Sequence, residues 1–178
     1  MLPNCTIFLI GPMGVGKSTV GRALAEQTSR EFLDSDHEIE RRTGASIPWI
    51  FELEGESGFR RREAQVLADL ALRPELIVAT GGGAILLQEN RAVLATGRVV
   101  YLRAALETLF ERTRRDRQRP LLQTPDPRAT LQALLAAREP LYAALADLTV
   151  LTDGRPAGLV AREILQHLET KAHAHTDG

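Results

Sequence analysis

Apolar residues in this chain fall into short continuous runs that alternate with longer periodic stretches. Cys5-Thr-Ile-Phe-Leu-Ile10 is a run of β-formers stopped by Gly11, the pattern of a strand covered on both faces in a parallel sheet. From Lys17 to about Thr28, Val20, Ala23, Leu24 and Gln27 recur at helical spacing, and the small Ala and Gly positions favour close packing on a sheet. A short strand around Glu31 to Leu33 leads into Asp34-Ser-Asp36. Glu38 to Arg42 and Ile47 to Leu53 then read as helical, broken at Gly44, and Glu56 to Leu72 reads as a long helix. Leu76 to Ala79, Arg98 to Leu102 and Leu148 to Leu151 complete five predicted strands. Strands separated by helices imply right-handed crossovers and a parallel sheet between helix layers.

Between Arg112 and Arg128 the periodicity lapses. Five arginines fall within Arg112 to Arg119, and Pro120, Pro125 and Pro127 prevent a long regular helix. The segment from about 112 to 127 is therefore expected to be a mobile lid. The helical period resumes from Arg128 through Leu131, Leu134, Leu135 and Arg138, and Pro156 opens a last helix with Leu159, Val160, Ile164 and Leu168 on its inner face. Residues 1–170 are read as a single domain. The tail, 171–178 with His173 and His175, is expected to be disordered and solvated.

With 178 residues, 44% apolar and 25% charged, the chain belongs among ordinary globular proteins rather than disordered or membrane classes. A formal net charge of −1 argues against nucleic acid as a partner. The apolar run at Cys5 to Ile10 is too short for a membrane span and lacks the basic lead-in of a leader. The expectation is a cytoplasmic monomer with no membrane partner. Cys5 is the sole cysteine, which rules out an internal disulfide and suggests a small buried thiol.

Gly11-Pro-Met-Gly14-Val15-Gly16-Lys17-Ser18 fits the P-loop pattern and lies between a strand and a helix, the context that motif requires. Glycines let backbone N–H groups curl around phosphates, Lys17 reaches the β- and γ-phosphates, and Ser18 ligates Mg²⁺. Gly14, Val15, Gly16, Lys17, Ser18 and Thr19 are therefore candidate ATP contacts. The third strand ends in Thr-Gly-Gly-Gly and the fourth runs into Arg103, so a second magnesium contact must come from elsewhere. Asp34 and Asp36 follow the second strand at the edge where α/β ligands bind. Alternate residues of this extended segment face opposite ways, so one carboxylate can serve metal and the other a substrate hydroxyl. Either one alone can equally be a helix N-cap before Glu38.

Beyond the P-loop and Asp34-Ser-Asp36, the chain carries Phe59-Arg60-Arg61-Arg62-Glu63, Gly81-Gly82-Gly83, Arg119-Pro-Leu-Leu122 and Arg138-Glu-Pro-Leu-Tyr142. Over roughly residues 5 to 168, with all six motifs in order, it resembles the shikimate kinases. The resemblance implies a P-loop kinase fold like that of the nucleoside monophosphate kinases, with a five-stranded parallel sheet flanked by helices and a substrate-binding helical region at about 34–62. It also implies transfer of the γ-phosphoryl of ATP to shikimate with Mg²⁺. Asp36 would hold the substrate hydroxyls and accept the attacking proton, while Asp34 would approach Mg²⁺ with Ser18. Arg60 and Arg138 would clamp the carboxylate, a task suited to the planar guanidinium, and Gly82 would offer its N–H. Arg119 would act from the lid on the transferring group, with Lys17 and Asp36 as its catalytic partners, and Arg112 and Arg155 would contact the adenine. Without the resemblance, Arg60 beside Arg61 and Arg62 reads as a solvated helix position, Gly82 as an ordinary turn, and the clustered lid arginines as surface charge. The rival readings are a gluconate kinase, which needs no arginine pair, a non-catalytic nucleotide-binding relative, and a GTPase-like switch. The Asn-Lys-x-Asp motif of such a switch is absent.

Overall fold

A computed structural model describes residues 4–114 and 120–174. Its elements are β1 (Ile7–Ile10), α1 (Lys17–Thr28), β2 (Glu31–Asp34), α2 (Ser35–Thr43), α3 (Ile47–Ala71), β3 (Leu76–Ala79), α4 (Gln88–Leu94), β4 (Arg98–Arg103), α5 (Leu106–Thr113), α6 (Pro127–Leu145), β5 (Leu148–Leu151) and α7 (Ala157–Ala174), with 3₁₀ turns at Ala84–Leu86 and Pro120–Leu122. The strands form one parallel sheet in the order β2-β3-β1-β4-β5. The order reverses around β1, so the crevice above its carboxyl end is where this class of sheet binds ligands.

The unbroken apolar character of β1 follows from its central place. Ile7 and Leu9 join a core with Val20, Leu24, Val160, Ile164 and Leu168, while Phe8 and Ile10 join the opposite core with Phe59, Val66, Leu67, Tyr101 and Tyr142. Every second residue serves a different helix layer. Close packing of α1 rests on Gly21, where any side chain would overlap the Phe32 ring.

Three sequence expectations need correction. Leu159 is half exposed, because Val160, Ile164 and Leu168 already share the inward stripe of α7 and their neighbour lies about 100° away around the helix. That helix also runs to Ala174 rather than ending near residue 170, as the alanines at 172 and 174 are strong helix formers. Cys5 precedes β1 and is half-buried. The predicted break between the Ile47 and Glu56 helices is present as a kink inside α3 at Gly55, with φ 67° and ψ −177°, a conformation that glycine adopts readily.

Asp34 caps α2, accepting from the N–H groups of Asp36 and His37, and Arg41 and Arg42 occupy its last turn, where cations complement the helix dipole. Both arginines bind Glu38, at 2.7 and 2.8 Å. The hydrogen bond from Arg41, followed by that from Arg42, lowers the Glu38 carboxyl to about 2, against the opposing effect of its burial. A depressed carboxyl contributes stability that is complete above its ordinary value of 4.5 and lost as pH falls toward 2. Glu38→Gln is therefore expected to unfold at lower denaturant concentration than wild type at pH 7. In urea titrations the gap should close between pH 4.5 and 2; a gap that persists unchanged at pH 2 contradicts the assignment.

Candidate active site

The carboxyl ends of the strands converge on one cleft of about 610 Å³. β1 delivers the P-loop, where Gly16 is left-handed at φ 101° and starts α1, so N–H groups at the helix start point into the cleft. Lys17 Nζ donates to the carbonyls of Gly11 and Pro12 at 2.7 and 2.8 Å, which folds it across its own loop. Thr152, buried at the end of β5, donates to the Val15 carbonyl at 3.1 Å and fixes the loop from the far side. Arg112, on the last turn of α5, reaches the Gly14 and Val15 carbonyls at 3.1 and 3.3 Å.

β2 delivers Asp34, which both caps α2 and lines the cleft. Oδ1 caps α2, while Oδ2 accepts from Ser18 Oγ at 2.6 Å. Two adjoining oxygens at the P-loop are the ligand type that Mg²⁺ takes alongside nucleotide phosphates. Asp36 reaches the cleft by a different route from the pleat alternation expected of it, because the chain turns helical at Ser35. Ser35 Oγ accepts from the Gly81 N–H at 3.1 Å and joins the start of α2 to the glycine loop after β3.

The second half of the cleft is lined by Asp36, Arg60, Glu63, the glycine loop and Arg138. Arg60 and Arg138 are 8% and 5% exposed, which excludes the solvated-helix reading of Arg60. Arg60 donates to Glu63 Oε2 at 2.7 Å and to Glu56 Oε1 at 3.2 Å. Arg138 Nη1 lies 3.5 Å from the position a Gly82 side chain would take. Tyr142, one helical turn past Arg138 and stacked on Tyr101 with ring centroids 5.0 Å apart, donates to the Gly82 carbonyl and orients that peptide. Burial raises the Tyr142 phenol far above its usual value, so it stays a donor. A methyl group at Gly83 would overlap the Arg60 guanidinium. Gly83→Ala is therefore expected to push the Arg60 guanidinium out of its present position; a crystal structure of the variant with Arg60 unmoved would contradict this packing.

All the site residues read from the sequence that the structure describes line this cleft: Gly14, Val15, Gly16, Lys17, Ser18, Thr19, Asp34, Asp36, Arg60, Gly82, Arg112, Arg138 and Arg155. Arg155 is also ion-paired with Glu163 and donates to the Leu151 carbonyl at 2.9 Å. Arg119 lies outside the described residues, as do Arg115 and Arg117. Of the expected lid, Arg112 and Thr113 belong to α5 and Pro127 to α6. The sequence reading gave no role to Glu63, Ser35, Thr152 or Tyr142. Glu63 stands three residues after Arg60 and Tyr142 four after Arg138, helical spacings that place each on its arginine's face.

A phosphate cradle sharing one cleft with a chamber lined by buried arginines defines an ATP-dependent kinase of small molecules on a P-loop fold. The family model described as "Shikimate kinase" matches residues 13–169. The shikimate kinase of Pseudomonas entomophila is 56% identical over 164 residues, covering 92% of this chain and 95% of the relative. That of Actinobacillus pleuropneumoniae is 53% identical over 170 residues, covering 95% and 98%. The structure of Acinetobacter baumannii shikimate kinase in complex with shikimate superposes with a TM-score of 0.93 at 53% identity, covering 94% of each chain. The chain belongs to the shikimate kinase family.

Proposed function

We propose that the protein transfers the γ-phosphoryl group of ATP to the 3-hydroxyl of shikimate, giving shikimate 3-phosphate and ADP for aromatic amino-acid biosynthesis. The observation that carries this reading is the buried pair Arg60 and Arg138 facing a chamber that opens onto the P-loop. Burying two guanidinium groups at one place is costly unless anions meet them, and planar forks match a carboxylate.

In this reading the acceptor carboxylate rests on Arg60 and Arg138, the Gly82 N–H fixes the ring, and Asp36 holds the hydroxyls. The 3-hydroxyl oxygen forms its bond to the γ-phosphorus as the bond to the β-phosphate oxygen breaks, and Asp36 takes the hydroxyl proton. Lys17 leaves its loop carbonyls for the β- and γ-phosphates and offsets the charge that shifts toward the leaving oxygen. Ser18 and Asp34 would hold Mg²⁺, which neutralises phosphate charge when bound. Arg112 and Arg155 would flank the adenine, and Arg119 would close over the transferring group. ADP release measured with shikimate, with gluconate and without acceptor tests the proposal: turnover is expected with shikimate alone, and equal turnover on gluconate would overturn it.

A further inference from the structure

Glu63 has no part in the mechanism above, yet its side chain is fully buried in the wall of the cleft. Oε2 accepts from Arg60 Nη1 at 2.7 Å. Oε1 is buried with no hydrogen-bond partner among the described residues. That oxygen faces the glycine loop, where a methyl at Gly81 would stand 2.7 Å from it and 2.9 Å from Asp36 Oδ1. The charged and titratable groups around it are Arg60 and Glu56 on α3, Asp36 on α2, and Arg138 with Tyr142 on α6. The glycine loop contributes backbone alone.

We infer that Glu63 is a positioning residue of the acceptor site that shares the Arg60 guanidinium with the incoming carboxylate and takes up a proton as that carboxylate binds. The inference rests on the acceptor reading given above. An external carboxylate on Arg60 draws donor capacity away from Glu63 and adds a second negative charge in a space that already holds Asp36. An uncompensated buried carboxylate is far costlier than a protonated one. Protonation also turns the unpartnered Oε1 into a hydroxyl that can donate to the acceptor or to Asp36.

The proton is within reach near neutrality, because burial, helped by Asp36, pushes the Glu63 carboxyl up to about 7 against the pull of Arg60. Binding that raises this carboxyl further favours the protonated protein. Affinity is then highest below about pH 7 and weakens as pH rises above it, until the higher value in the complex is passed.

Calorimetric titration of the wild-type protein with shikimate, from pH 6 to 9 in phosphate and in Tris, separates proton uptake from binding heat. The expected result at pH 8 is uptake approaching one proton, with the dissociation constant rising by up to about tenfold per pH unit above 7. Glu63→Gln keeps an acceptor for Arg60 and a donor in place of the acid hydroxyl, so its affinity should be flat with pH and its proton uptake absent. A purely structural role would lower affinity uniformly and leave the slope in place. Wild-type binding that is tight, pH-independent and free of proton exchange overturns the inference alone, as does a slope retained in Glu63→Gln. No shikimate binding at any pH removes the acceptor reading and this inference with it.

Discussion

Lys17→Ala is expected to lower turnover by roughly 10²–10³-fold or more, the range for removing one preorganised charge donor from a developing anion. Lys17 is the P-loop cation. Its Nζ donates to the Gly11 and Pro12 carbonyls at 2.7 and 2.8 Å. Its loss leaves those two carbonyls to water or to the backbone N–H groups of the loop. The P-loop is also anchored independently of Lys17, through Thr152 and Arg112. The folded state should therefore survive, with circular dichroism and thermal unfolding close to wild type. Near-normal ADP production by a folded Lys17→Ala protein would contradict the phosphate role.

Arg138→Lys is expected to weaken shikimate binding by about 1.5–3 kcal/mol for each charged hydrogen bond lost, roughly 10- to 150-fold. Lysine keeps the charge but not the fork that makes two parallel bonds. Arg60→Lys should weaken binding likewise and also leaves buried Glu63 with a poorer partner, so its fold needs checking separately. ATP affinity should barely change in either variant, because the nucleotide phosphates are assigned to Lys17 and the P-loop backbone rather than to these arginines. An acceptor analogue with a neutral group in place of the carboxylate should be almost indifferent to both substitutions. Wild-type shikimate affinity in both variants would leave the buried pair without a ligand role.

The central strands β1 and β3 were legible because they are buried on both faces, and Ile7-Phe-Leu-Ile10 and Leu76-Ile-Val-Ala79 accordingly carry no polar residue. The phosphate site was legible because its chemistry requires particular residues at fixed spacing. Arg60 was legible only through the family resemblance, since nothing in Phe59-Arg60-Arg61-Arg62 itself distinguishes an inward arginine from its neighbours. The kink at Gly55 and the packing of α3 turn Arg60 into the cleft while Arg61 and Arg62 are not buried. Asp34 illustrates a different limit: capping and metal-site readings looked like alternatives in the sequence, yet one oxygen caps α2 while the other accepts from Ser18 Oγ in the cleft, so the cap does not exclude the proposed metal role. The residues that brace the site, Ser35, Thr152 and Tyr142, act across 46 to 137 positions of sequence, a separation at which no local pattern can announce a contact.

The most direct test of the central claim is the identity of the product. Wild-type protein, ATP, Mg²⁺ and shikimate should yield one new phosphate monoester per ADP, with ³¹P–¹H coupling that places it on the 3-position of the ring, and Lys17→Ala should form it at least about 10²-fold more slowly. ADP formed without a phosphorylated shikimate, or a phosphate on another hydroxyl, would contradict the account.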